Sequence, residues 1–141
     1  MISVTNFKLA VEIIKADIPL IGSAVIVAHE QHLVNKLRDK AGVVLGAMYP
    51  NLERTGQADA TIDTNVTWFF ILEKMITGAT DAQEEAQYQK LQTIALAVLS
   101  IVNEESGACS IFFKRQEPTC SMVPEFNEFG GFNGWSFSIS F

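Results

Sequence analysis

The alternation of apolar and polar positions predicts an amphipathic helix near the start of the chain. Between residues 5 and 16, apolar side chains recur three or four positions apart, as one face of a helix requires. These side chains are Phe7, Ala10, Val11 and Ile14. The short apolar run at residues 24–28 fits a strand or a helix equally well. Residues 30–40 favour a short helix that ends at Gly42, and one continuous helix over residues 24–40 is the alternative.

Two segments rich in β-branched and aromatic side chains predict strands. Residues 43–49 form the first predicted strand, which a turn at Pro50 closes. Residues 64–72 form the second, a central strand whose later part is apolar on both faces. The segment between them, residues 52–63, is polar and contains Gly56, which predicts either a mobile loop or a long hairpin arm.

The clearest helix signal covers residues 81–103. Thr80 and Gln83 have the spacing of a capping box, in which each side chain bonds the backbone N–H of the other residue. An apolar stripe along this segment indicates that the helix packs on the sheet. The stripe consists of Tyr88, Leu91, Ala95, Val98 and Val102. We expect Gly107 to end the helix and residues 108–114 to form another strand.

The C-terminal region combines a predicted irregular segment with a strongly alternating strand. Pro118, Pro124 and Gly130 delimit the irregular segment, which contains three phenylalanines. Their rings either fold over the core, the favoured interpretation, or anchor a partner. They are Phe126, Phe129 and Phe132. Over residues 135–141, apolar residues and serines alternate, which predicts one buried aromatic face and one row of hydroxyls facing water or an approaching surface.

Together these elements predict an α+β fold. A mixed or antiparallel sheet of about four strands is expected to pack against the long helix and the N-terminal helix. The chain has 141 residues, the usual size of one domain. No repeat or linker interrupts it, so we expect a single domain over residues 1–141.

Charge and hydropathy narrow the classes of partner. The net charge of -6 argues against recognition of nucleic acid or anionic lipid, because both depend on clustered Lys and Arg. The most apolar run, residues 18–28, is too short to span a membrane. The N-terminus lacks a secretory signal pattern, so we expect a protein made in a cytosol. Charged residues make up only 18% of the chain, so we expect a partner to cover part of its surface.

No combination of residues in the sequence indicates a catalytic or metal site. His29 and His32 lie three apart, which does not match the zinc-protease spacing, so solvated histidines are favoured over a weak surface metal site. The remaining candidates are acidic residues and cysteines. The acidic residues either lack the spacing of metal ligands or are explained by electrostatics at a helix end, and the cysteines lack a neighbouring base. They are Asp59, Asp63, Glu84, Glu85, Glu104, Glu105, Cys109 and Cys120. We expect no catalysis, cofactor or metal, and reduced cysteines in preference to a Cys109–Cys120 disulfide.

The closing segment carries a resemblance to a known family. Residues 124–135 form the run Pro-Glu-Phe-Asn-Glu-Phe-Gly-Gly-Phe-Asn-Gly-Trp, whose last pair, Gly134 and Trp135, leads into the alternating strand. With the order of elements, this segment resembles the tail-terminator and tail-completion (neck) proteins of long-tailed bacteriophages. Residues 24–40 form a longer insertion than that family leads us to expect. The resemblance implies a structural virion protein, assembled in the host cytoplasm, whose homo-oligomeric ring, commonly a hexamer, caps the tail tube and joins it to the head connector.

Two groups of residues are candidates for the assembly interface. The polar segment 53–63 would suit an arm that reaches a neighbour. With its flank it offers Tyr49, Pro50, Arg54, Gln57 and Asp59, and the C-terminal region offers Phe126, Phe129 and Phe132. The alternative function is a small acidic protein-binding module of the inhibitor or immunity type, monomeric or dimeric. A small-molecule enzyme is the third hypothesis, and it would need a pocket lined by Tyr49, Trp68 or His29.

Overall fold

A computed structural model describes residues 2–103 and 120–141 of the protein. Three helices and six strands follow one another in these ranges. They are α1 (Val4–Asp17), β1 (Ile21–Val27), α2 (Glu30–Leu37), β2 (Val43–Met48), β3 (Asn51–Gln57), β4 (Ala60–Lys74), α3 (Asp81–Val102), β5 (Cys120–Glu128) and β6 (Phe132–Ser140). The predictions for Glu104, Glu105, Gly107, the strand over residues 108–114, Cys109 and Pro118 lie outside the described residues.

The strands form a mixed sheet. Its order is β1-β2-β4-β6-β5, and β3 pairs with the first part of β4 outside this path. β1 and β2 are parallel and are joined through α2, whereas the other paired strands are antiparallel. The predicted α+β class is confirmed. The predicted number of about four strands is too low, because the segments that form β3 and β5 carry weak strand signals.

Local capping fixes where the helices begin. Ser3 accepts a hydrogen bond from the backbone N–H of Asn6 at the start of α1, at 3.1 Å. At α3, the Thr80 hydroxyl accepts from the N–H of Gln83 at 3.3 Å, and Gln83 accepts from the N–H of Thr80 at 2.9 Å. These bonds satisfy backbone donors that have no partner inside the helix. The predicted capping box is therefore confirmed.

Helices cover both faces of the sheet. α1 and α3 pack on one face, where the larger core cluster includes Phe7, Ile14, Phe69, Leu91 and Phe137. α2 packs on the opposite face, where the smaller cluster includes Leu33, Leu37, Phe70, Leu72 and Phe132. Consecutive side chains of a strand point to opposite faces, so the apolar run of β4 contributes to both clusters. This explains why the run shows no alternation in the sequence.

Three local interpretations of the sequence are decided by the structure. Residues 24–40 are a strand followed by a helix, so the single-helix alternative is wrong. Residues 52–63 belong to a hairpin, so the mobile-loop alternative is wrong. The segment around Pro124 is the strand β5, so the prediction of an irregular segment there is also wrong. A proline is compatible with β5 because this strand lies at an edge of the sheet, where an N–H is not needed for pairing.

The serine row of β6 does not simply face water. Ser136 is 1% exposed, and its hydroxyl donates a 2.6 Å hydrogen bond to the carboxylate of Glu125 on β5. On the other face, Phe137 and Ile139 are buried as predicted, while Trp135 is half-buried. The indole N–H of Trp135 donates to the carbonyl of Tyr88 at 3.0 Å, so its ring lies against α3.

Candidate assembly interface

A two-stranded ribbon projects from the sheet. We call residues 51–63 the arm; it consists of β3, a two-residue turn and the beginning of β4. Every arm residue is exposed. β6 pairs with β4 only from Val66 onward, and β2 only from Phe69 onward. The arm therefore extends about 20 Å beyond the body of the sheet, at the usual rise of a strand.

Both edges of the arm expose backbone groups. Asn65 exchanges two backbone hydrogen bonds with Phe141, at 2.7 and 2.9 Å, on the side of β4 away from β3. Because strand residues alternate, the N–H and C=O of Asp63 and Thr61 point to this same side. The described parts of the chain place no strand against these groups, nor against the outer edge of β3. Such edges are templates for pairing with another chain.

One ion pair crosses the arm. Arg54 on β3 and Asp63 on β4 are cross-strand partners, and the guanidinium donates to both carboxylate oxygens, at 2.6 and 2.8 Å. The hydrogen bond from Arg54 is the main cause that lowers the pKa of Asp63 below its ordinary value. The same bond raises the pKa of Arg54. The pair is solvent-exposed, so it aligns the two strands and adds little to stability.

The root of the arm is anchored to the body. Tyr49 donates its backbone N–H to the carbonyl of Val27 at 2.9 Å, and its ring lies 6.1 Å from the ring of Phe7. Pro50 is half-buried in the link between β2 and β3. The Asn51 side chain accepts from the backbone N–H of Val66 at 3.0 Å. The arm therefore leaves a fixed base.

Five of the eight candidate interface residues lie on the arm or at its root. Arg54 and Gln57 are on β3, and Asp59 is in the turn at the tip. All three are exposed. Tyr49 and Pro50 are at the root described above. The structure thus places these five candidate residues along the arm and at its root.

The three phenylalanines lie elsewhere and have different environments. Phe132 is 2% exposed and belongs to the smaller core cluster, which agrees with the favoured interpretation that the ring folds over the core. Phe129 is half-buried, and its ring contacts the ring of Phe70 edge-on at 5.3 Å. Phe126 is 59% exposed. Only Phe126 is therefore available as an aromatic anchor among the three.

Phe126 is at the end of the sheet opposite to the arm. Its neighbour Glu125 is opposite Gly134, which pairs with Leu72, whereas the arm leaves β4 at Val66. Six residues of β4, or about 20 Å, separate the two levels. Two distinct surfaces on one chain suit a head-to-tail contact, in which one patch meets a different patch of the next copy.

The histidines act as backbone acceptors in the structure. His29 is the N-cap of α2, and its Nδ1 accepts from the N–H of Gln31 at 3.1 Å. His32 Nδ1 accepts from the N–H of Ala28 at 3.4 Å. Within residues 2–103 and 120–141, no group of three or more His, Cys, Asp or Glu side chains is placed to hold a metal ion. In the same ranges, no helix has both the length and the apolar character needed to cross a membrane.

The residues proposed for an enzyme pocket do not converge. Tyr49 lines a groove of about 590 Å³ between α1, β1 and α2. Trp68 lines a different groove, of about 470 Å³, on the sheet face that carries α2. His29 lines neither of the two. These separations give the enzyme hypothesis no common site around Tyr49, Trp68 and His29.

The groove beside β1 was missed by the sequence analysis. Its polar lining comes from three segments: Lys8 and Glu12 on α1, Lys36 on α2, and Asp39 and Lys40 after α2. The Nζ of Lys36 donates to the carbonyl of Ile26 at 2.6 Å. No sequence signal joins Lys8 to the other two lysines, because their proximity depends on how both helices pack around β1.

The sequence matches no protein-family model, and no curated protein matches it significantly.

Proposed function

We propose that this chain is a structural subunit that assembles through its arm into a homo-oligomeric ring. The observation that carries the proposal is the arm itself, a ribbon that is exposed on both faces and whose two outer edges pair with no other strand among the described residues. An isolated two-stranded ribbon is marginally stable in water. Contact with a second copy would complete its pairing and bury Leu52 and Ile62, which are exposed on opposite faces of the ribbon.

The virion role extends this proposal. The closing segment 124–135 and the order of elements resemble tail-terminator and neck proteins of long-tailed phages. We therefore propose that the ring caps a tail tube and joins it to a head connector. The separation of the arm from Phe126 supports a head-to-tail arrangement, which gives a closed ring when the rotation between neighbours closes. No catalytic step is part of this proposal.

Shortening the arm tests the assembly. Replacement of residues 54–63 by Asn-Gly leaves the cross-strand partners Glu53 and Thr64 on either side of a two-residue turn, for which Asn-Gly is favoured. We expect this variant to fold and to remain monomeric, because the removed residues are exposed and outside both core clusters. Light scattering on a sizing column measures the mass, and thermal unfolding confirms the fold.

Ring formation by the shortened variant, at the same concentration as the original chain, would contradict the proposal. A chain that is monomeric with and without its arm, yet captures a different protein, would instead favour the acidic binding-module alternative. The two functions therefore differ in a directly measured quantity, the mass of the chain alone.

A further inference from the structure

The outer edge of β1 is a further strand edge against which the described residues place no other strand. Within the described residues, β1 pairs only with β2. The carbonyl of Val27 bonds to Tyr49 and so points toward β2, while the carbonyl of Ile26 bonds to Lys36 and points outward. By alternation, the N–H and C=O of Ala24 also point outward. This edge lies in the groove of about 590 Å³ between α1 and α2.

The groove and the arm have opposite net charge. Lys8, Lys36 and Lys40 outweigh Glu12 and Asp39 in the groove lining, which gives a net charge of +1. The arm carries three carboxylates, from Glu53, Asp59 and Asp63, and one guanidinium, from Arg54, which gives −2. Because Asp63 is already paired with Arg54, the carboxylates of Glu53 and Asp59 are the ones that would meet lysines of a neighbour. Complementary charges steer encounter and set register.

The two edges also match in length. β1 and β3 each contain seven residues. One added strand could therefore pair along the whole of β1, while backbone hydrogen bonds supply affinity and flanking side chains supply specificity.

We propose that the groove beside β1 is the docking site for the arm of a second copy of this chain, which adds a strand to the sheet. The inference rests on the proposed assembly and names the surface that receives the arm. In a ring, each subunit would give its arm to one neighbour and receive an arm from the other. Lys36 would then no longer donate to the carbonyl of Ile26. An N–H of the incoming strand would donate to that carbonyl instead.

A charge exchange tests this docking. The groove variant carries Lys8→Glu with Lys40→Glu, and the arm variant carries Glu53→Lys with Asp59→Lys. We expect each double variant to lose ring formation and the quadruple variant, which carries both pairs of substitutions, to regain it. The matched control for the groove variant is Lys15→Glu with Lys74→Glu, which lowers the net charge by the same amount as the groove variant, on exposed residues outside the groove lining. The control should assemble like the original chain.

The readout is the mass from light scattering, with thermal unfolding as the check on folding. Normal rings from the groove variant would overturn the docking site, as would failure of the quadruple variant to recover. Loss of assembly in the control as well would assign the effect to net charge and also overturn it. These results concern only the docking site. The proposed function is tested by the chain with the shortened arm: it stands if that chain is monomeric, and it is refuted if that chain forms rings.

A second variant addresses the backbone and leaves every lysine in place. Ala24→Pro removes an outward N–H at an edge position, where proline is tolerated, without touching the bonds from β1 to β2. We expect a folded monomer. Unchanged ring formation by this variant would show that no strand is added at β1.

Discussion

Two glycine substitutions separate the stability of the body from the integrity of the arm. Gly56 lies on β3 with φ +111, and an added Cβ would lie 2.2 Å from the carbonyl oxygen of Ala60. That oxygen is backbone of the facing strand, so the strands of the arm must shift. Gly42 precedes β2 with φ +72, and an added Cβ there has no atom within 4 Å. Alanine at Gly42 therefore brings backbone strain alone, about 1–2 kcal/mol.

The two variants are expected to fail in different assays. Gly42→Ala should lower the free energy of unfolding by about 1–2 kcal/mol, because its strain adjoins the buried strand β2. Gly56→Ala should change it by less than about 0.5 kcal/mol, since the arm is exposed and outside both core clusters. Assembly should be lost in Gly56→Ala and kept in Gly42→Ala.

Denaturant unfolding, followed by tryptophan fluorescence, measures the free energy of unfolding of the body, because both tryptophans, Trp68 and Trp135, lie there. It should be recorded below the concentration at which the chain assembles, since ring formation adds stability by mass action. Light scattering measures the mass of the chain in solution and so reports assembly. Equal destabilisation of the monomer by Gly56→Ala and Gly42→Ala, or normal assembly of Gly56→Ala, would refute this separation of the arm from the body.

Two pairs of substitutions test the core and the capping. Phe132→Ala should destabilise the fold by about 3–5 kcal/mol, because the ring is buried in the smaller core cluster. Phe126→Ala should change stability by less than about 0.5 kcal/mol, because that ring is exposed. Equal losses of stability in denaturant unfolding would contradict these assignments. Thr80→Ala should lower the free energy of unfolding by about 1 kcal/mol, because the capping box of α3 is lost, and Thr80→Ser should restore most of that stability. If both variants were neutral in the same assay, the capping role would be contradicted.

The elements with strong local signals were predictable from the sequence. α3 begins at Asp81 as expected, because Thr80 and Gln83 form a capping box through contacts three residues apart. β3 and β5 were harder. The turn of the arm, Ala58 and Asp59, lacks the Asn-Gly signature of a two-residue hairpin, and Pro124 argues against a strand unless that strand is known to be at an edge. Edge position is a property of the whole sheet and cannot be deduced from one segment.

The candidate interface was partly predictable for the same reason. Polarity and a glycine were enough to indicate that residues 52–63 leave the core. Phe126 lies between Glu125 and Glu128, where the pairing register of β5 with β6 shifts, whereas Phe132 lies on β6 within the smaller core cluster. The groove beside β1 was out of reach, because its lysines come from separate segments that only tertiary packing brings together.

The native mass of the purified chain tests the central claim most directly. Light scattering on a sizing column, over a concentration series, compares the original chain with the variant whose arm is replaced by Asn-Gly. The expected result is that the original chain reaches a defined multiple of 15.5 kDa as its concentration rises, and that the shortened variant stays at the monomer mass. A monomer at every concentration for the original chain, or the same oligomer for both chains, would contradict it.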